Sequence, residues 1–148
     1  MNFGEFKLLV TNLRAVRPEL FFTEFWDRAA SAIQIELASK SLGCQFPPEY
    51  ASYVQEYGGG DALGTRIYSC DADSNLYIVS KNRELEGWLP RKLIAFSDNG
   101  CGDYYVFRLM KGRCAPEVYL FRHDEMSLSE AKAENILEFI MKNVSDSR

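Results

Sequence analysis

Three consecutive glycines, Gly58-Gly59-Gly60, divide this 148-residue chain into two parts of different periodicity, and that division constrains the fold most. Before the triplet, apolar residues recur every three or four positions, the spacing of an amphipathic helix. Phe3, Phe6, Val10 and Leu13 predict a first helix, ended by Pro18. Thr23 reads as the N-cap of a second, with Trp26, Ala29, Ala30, Ile33 and Leu37 on one face up to Gly43. Pro47-Pro48 suits the first turn of a third, where proline's missing N–H would be unpaired anyway. Tyr50, Tyr53, Val54 and Tyr57 form its apolar face, and the glycines stop it by supplying positive φ.

After the triplet the pattern becomes strand-like. Thr65–Ser69, Leu76–Val79, Lys92–Phe96, Tyr104–Leu109 and Glu117–Phe121 are short, rich in β-branched and aromatic residues, and separated by turn residues. Asp98-Asn99-Gly100-Cys101-Gly102-Asp103 suits the loop of an antiparallel hairpin. Ser127 and Glu130 have capping-box spacing, so a last helix is expected from Ser127, burying Ala133, Ile136, Leu137, Ile140 and Val144. The expected fold class is α+β: a central antiparallel meander sheet flanked by N-terminal helices and one C-terminal helix. No repeat or linker interrupts the chain, so residues 1–148 read as one domain.

Composition narrows the function classes. With 47% hydrophobic and 26% charged residues the chain is ordinary globular material. It has no apolar run of membrane-spanning length, and Met1-Asn2-Phe3-Gly4-Glu5 lacks the features of a signal peptide, so a cytoplasmic location is expected and no membrane partner. Cys44, Cys70, Cys101 and Cys114 contain no CxxC pair and read as free, mostly buried thiols. The net charge of −4 and evenly spread Lys/Arg argue against nucleic acid. Counted along the chain, residues 1–48 and 76–148 are each balanced. All the excess negative charge lies in 49–75, where Glu49, Glu56, Asp61, Asp71 and Asp73 face only Arg66. The stretch reads either as a solvated, loop-rich face or, with Tyr57 and Tyr68 as aromatic anchors, as the docking surface for a basic protein partner.

Catalytic chemistry finds little material. His123 is the sole histidine, so a multi-histidine metal site within the chain is excluded, and its charged surroundings read as surface. Asp71-Ala72-Asp73-Ser74-Asn75 imitates a calcium loop, but Leu76 and Asn82 occupy the positions of its glycine and bidentate glutamate. The glycine triplet follows a helix and lacks the Lys-Ser/Thr of a phosphate loop. Asp98/Asp103 and Glu84/Glu86 read as solvated carboxylates. No catalytic residue, metal or cofactor is expected. An enzyme, or a ligand pocket, would need Cys101, Asp103 and His123 to converge in a closed cleft.

These segments also fall in a recognisable order. Ile33 and Glu36, Leu42-Gly43, Phe46-Pro47, Glu49-Tyr50, Tyr53-Val54 and Tyr57 through Gly60 resemble the opening of the SMI1/KNR4 (SUKH) family. Trp88-Leu89-Pro90 with Leu93-Ile94-Ala95-Phe96 resembles its W-x-P strand, and Gly100, Gly102-Asp103 and Tyr105 its G-x-GD strand. Pro116–Tyr119 with His123, and Ile136 with Phe139-Ile140, resemble the closing segments. The resemblance spans about residues 25–143 and leaves 1–24 as an additional N-terminal helix. Gly58 stands where the family has Asn, and since both tolerate positive φ the turn is expected to survive.

The resemblance implies the same α+β fold and a non-enzymatic, protein-binding role. Bacterial members are widely immunity proteins that bind and neutralise the toxin of a polymorphic toxin system, often a nuclease encoded nearby. The alternative it implies is a regulatory or scaffolding interaction domain, as in fungal members. The motif residues Gly43, Pro47, Tyr50, Gly59, Gly60, Trp88, Pro90, Gly102 and Asp103 are expected to serve the fold rather than the partner.

Overall fold

The computed structural model describes residues 1–21 and 25–146. Helix α1 (Phe3–Val16), capped by Asn2, leads through a 3₁₀ turn (Pro18–Phe21) to strand β1 (Phe25–Trp26). Helices α2 (Ala32–Leu42) and α3 (Pro48–Tyr57) follow, then β2 (Gly60–Ala62), β3 (Thr65–Ile67) and helix α4 (Ile78–Glu84). The remaining strands are β4 (Leu93–Asp98), β5 (Tyr104–Met110), β6 (Arg113–Cys114), β7 (Tyr119–Arg122) and β8 (Ser127–Leu128), closed by helix α5 (Ile136–Asp146).

All strand pairs are antiparallel. One sheet has the order β1-β2-β3, the other β4-β5-β7-β8 with β6 also on β5. The Tyr68 N–H donates to the Phe96 carbonyl (2.8 Å) just beyond β3, which joins the two sheets edge to edge. Along the rest of that edge, Asn82 of α4 imitates a strand. Its amide donates to the Ala95 carbonyl and its oxygen accepts from the Ala95 N–H, both at 2.9 Å.

The buried cluster runs from α1 to α5 and centres on Tyr50, Tyr53, Phe96, Phe107 and Ile140. Phe96 and Phe107 stack at 4.3 Å between centroids, with Phe139 edge-on to Phe96 at 5.7 Å. Each such ring contributes about 1.5–3 kcal/mol through burial. Phe6 and Val10 of α1 belong to the same cluster, so the N-terminal helix is packed into the core.

The α+β class and antiparallel sheet agree with the expectation, while three local readings change. The second helix begins at Ala32, because Ser31 and Gln34 form a reciprocal capping box, while Phe25-Trp26 is a strand. Ile33 and Leu37 are 70% and 56% exposed, and the buried residue on that helix is Ala38. The proposed cap Thr23 lies outside the described residues. Leu76–Val79 is not a strand. The chain makes one bridge, Ser69 to Tyr77, and then turns into α4, burying Ile78 and Val79 on a helix. Tertiary burial outweighs their β propensity. The last helix begins at Ile136, where Asn135 accepts from the Glu138 N–H (3.0 Å). Ser127 pairs with Arg122 in the sheet and gives its hydroxyl to Glu125, so the capping-box spacing is coincidental.

The glycine triplet performs more than helix termination. Gly58 has φ 76° and ψ −162°, a region essentially restricted to glycine. A Cβ there would lie 2.2 Å from the Asp27 carbonyl oxygen, and at Gly60 2.1 Å from that of Phe25. At Gly59 it would lie 2.6 Å from the Ile67 oxygen. Asparagine therefore does not substitute for Gly58 here: the left-handed tolerance it shares with glycine applies to another ψ, and no space exists for its side chain.

Candidate functional site

In the three-stranded sheet the pleat sends Trp26, Gly60 and Ile67 inward. Register then aligns Phe25, Asp61 and Arg66 in one row on the outer face. Phe25 is 76% exposed, a large ring presented to solvent on an edge strand. Arg66 Nε donates to Asp61 (2.9 Å), and its Nη1 stands 3.6 Å from Asp98 at the end of β4. Asp98 also accepts from the Tyr68 hydroxyl at 2.6 Å. Burial, then the Asp98 carboxylate, push the Tyr68 hydroxyl above its ordinary range, so it stays a donor. The Asp61 hydrogen bond, followed by the charges of both carboxylates, raises the Arg66 guanidinium despite partial burial.

Beside this row opens a cleft of about 570 Å³, lined by Asp61, Arg66 and Asp98 together with Leu63, Tyr105 and Phe139. Two carboxylates share one guanidinium at its rim, and the rest of the lining is mixed, with Thr65, Ser97 and Asn99 beside the apolar side chains. Such a cleft can admit a partner's cationic or aromatic side chain, with Phe25 alongside as an apolar contact. Sequence periodicity missed Phe25, having placed its neighbour Trp26 on a helix. The alternation of the dipeptide, one ring in and one out, is the only local signal for it.

The seven residues expected to bind a partner do not form one surface. Glu49 and Glu56 stand at opposite ends of α3, and Glu49 Oε2 is buried without a hydrogen-bond partner. Glu56 pairs with Lys7 of α1 (3.5 Å). Asp71 is buried and Asp73 85% exposed, and Arg28 bridges both at 3.1 Å. Asp61 belongs to the cleft. Tyr57 is half-buried against the rings of Phe3, Phe6, Trp26 and Tyr53. Tyr68 is fully buried and presents no ring to a partner. The neutralising cations Lys7 and Arg28 come from outside segment 49–75, which counting along the chain does not reveal.

The motif residues occupy backbone and core positions. Gly43 ends α2 with φ 64°, and Pro47 and Pro48 open α3. Tyr50 is fully buried, donating its hydroxyl to the Tyr68 carbonyl (2.7 Å). Trp88 meets Tyr104 and Phe121 edge-on, and the Pro90 carbonyl accepts from the Leu93 N–H where β4 begins. Asp103 accepts from both the backbone N–H (3.0 Å) and ring Nδ1 (2.6 Å) of His123, and so latches the β4–β5 loop to the β7–β8 turn. Gly102, at φ 96°, lies under the imidazole, where a Cβ would approach Nδ1 to 3.1 Å. Those hydrogen bonds hold the Asp103 carboxyl below its ordinary range.

Asp103 and His123 thus touch, and Cys101 is in the same loop. All of this sits on an exposed loop face rather than in a closed cleft. Cys44, Cys70 and Cys114 are buried, with burial pushing the Cys70 thiol up to about 11. Among the described residues no group of three His, Cys, Asp or Glu could hold a metal ion, and no helix is long and apolar enough to cross a membrane.

Residues 33–140 match the profile of a family described as SMI1-KNR4 cell-wall (SUKH_6). No curated protein matches the chain. The matched span runs from the second residue of α2 into the first half of α5 and leaves α1 and β1 outside it. By that match, over most of its length, the chain belongs to the SMI1/KNR4 (SUKH) family.

Proposed function

We propose that this protein is a non-catalytic immunity protein that binds a cognate polymorphic toxin in the cytoplasm and neutralises it by occlusion. The observation that carries the reading is the outer row Phe25–Asp61–Arg66 beside the cleft: an exposed aromatic ring next to carboxylates. A toxin with a basic face, as on a nuclease, would set a cationic or aromatic side chain into the cleft while its rim covers Phe25. With a standard interface of about 1,600 Å² around this row, nanomolar binding needs only a few buried anchors. Membership of a family with many immunity proteins supports this role. The family description, which names the cell wall, favours a regulatory interaction domain as the second reading.

The test is co-expression with the product of the neighbouring gene, scored for rescue of growth and for a co-purifying complex. Phe25→Ala with Asp61→Lys is expected to weaken that complex by more than about 100-fold, as loss of central anchors does. A non-toxic neighbour favours the regulatory reading, and a complex indifferent to both substitutions removes this face.

A further inference from the structure

Residues 76–148 contain equal numbers of acidic and basic groups, yet the fold separates them. Arg91, Lys92, Arg108, Lys111 and Arg113 gather at one end of the five-stranded sheet. The Lys92 carbonyl accepts from the Leu109 N–H (2.7 Å), Leu93 pairs with Arg108, and Met110 pairs with Arg113. The segments that build this end, 87–97 and 104–116, contain no Asp or Glu. Asp98 and Asp103 lie at the opposite end of the β4–β5 ladder, about 17 Å away at strand rise.

All five cations are exposed. Among the described residues none of them makes an ion pair, whereas Lys7, Arg28, Lys40, Arg66 and Lys142 each do. Glu86 and Glu117, which flank these segments, pair with none of the five. Arg108 has one directional contact, its guanidinium lying 5.5 Å from the Tyr119 ring centroid. Met110, two residues along from Arg108 and opposite Arg113, is 61% exposed and shares their face of the sheet.

The patch is rigidly presented. Lys111 (φ 53°) and Gly112 (φ 76°) are both left-handed, the signature of a two-residue hairpin turn that asparagine and glycine normally occupy. Gln45, between α2 and α3, clamps the hairpin by donating to the Gly112 carbonyl (2.8 Å) and accepting from the Cys114 N–H (2.9 Å). Turn geometry accounts for Gly112 but does not call for lysine at 111.

We propose that this end of the sheet is a second docking surface, for an acidic protein that also presents an apolar side chain to Met110. Unpaired cations around an exposed methionine match the arginine and methionine enrichment of protein interfaces. Nucleic acid fits less well. The chain as a whole is negative, and the one aromatic ring in the patch already carries Arg108, leaving no exposed stacking platform. The surface is separate from the Phe25–Asp61 row and does not depend on its role.

Fluorescence anisotropy on the full chain tests this with three labelled probes at equal ionic strength. They are a Glu/Ser peptide, a peptide of equal charge with two leucines, and a short DNA duplex. The leucine-bearing acidic peptide is expected to bind tightest. Lys111→Glu with Arg113→Glu should weaken it at least about tenfold, and so should Arg91→Glu with Lys92→Glu, which leaves the hairpin intact. Met110→Ser should bring it down to the level of the leucine-free peptide, and Asp61→Lys should not weaken it. Tighter binding of the duplex, no binding of either peptide, or indifference to both charge reversals in variants with wild-type unfolding curves overturns the proposal.

Discussion

The two ends of the β4–β5 ladder carry charge in opposite ways. At the Asp98 end each carboxylate has a partner: Asp98 has Arg66 and Tyr68, Asp61 has Arg66, and Asp103 has His123. At the hairpin end five cations have no carboxylate among them. Charge at the first end holds loops and sheet edges together, while at the second end the one such contact is that of Arg108 with the Tyr119 ring. A charge whose loss leaves the fold unchanged is the one available to a partner.

That contrast predicts a gradient of stability effects, measurable by urea unfolding at neutral pH. Arg66→Ala has the largest, about 2 kcal/mol, because it strands Asp61 beside a mostly buried Asp98. Tyr68→Phe follows at about 1 kcal/mol, since Asp98 loses its hydroxyl donor but keeps the guanidinium. Asp103→Asn is smaller and best seen against pH. The folded carboxyl titrates below its unfolded value of about 3.9, so its stabilisation is present above that pH and fades as pH falls through the lower folded value. The variant should therefore lose less stability than the wild type on acidification below about pH 4. Arg113→Ala is smallest, within about 0.5 kcal/mol. If Arg113→Ala destabilised as much as Arg66→Ala, the hairpin cations would be structural and the contrast between the two ends would collapse.

Elements whose signal is local were legible in the sequence. The helix of Phe3 and Phe6, the proline-led helix of Tyr50, and the hairpin around Asp98–Asp103 stand where periodicity and turn residues put them. Signals decided by distant contact were not. Ile78 and Val79 are β-branched yet helical, because α4 must bring Asn82 to the edge of β4. Ser127 and Glu130 have the spacing of a cap, but β7 claims Ser127 first. The acidic stretch illustrates the same limit. Its carboxylates are placed by sequence, but their pairing with Lys7 and Arg28 depends on packing. Phe25 emerges only once β1 pairs with β2, and the basic end only once residues 91 and 113 are brought to the same edge.

The buried glycine junction has a further consequence for how this protein opens. Asp27 N–H is held by the Gly59 carbonyl (2.9 Å) and Ala30 N–H by the Val54 carbonyl (2.8 Å), across backbones too close to admit a methyl group. The β1 segment cannot lift away while the end of α3 stays in place without breaking both of these hydrogen bonds. Amide exchange at Asp27, Ala30 and Gly58 should therefore proceed at a common rate, as one cooperative unit. Phe25 is carried on that unit. A protein partner bound there as proposed above would meet a surface that yields when the helix–sheet junction itself unfolds, so dissociation would be governed by the interface rather than by local fraying.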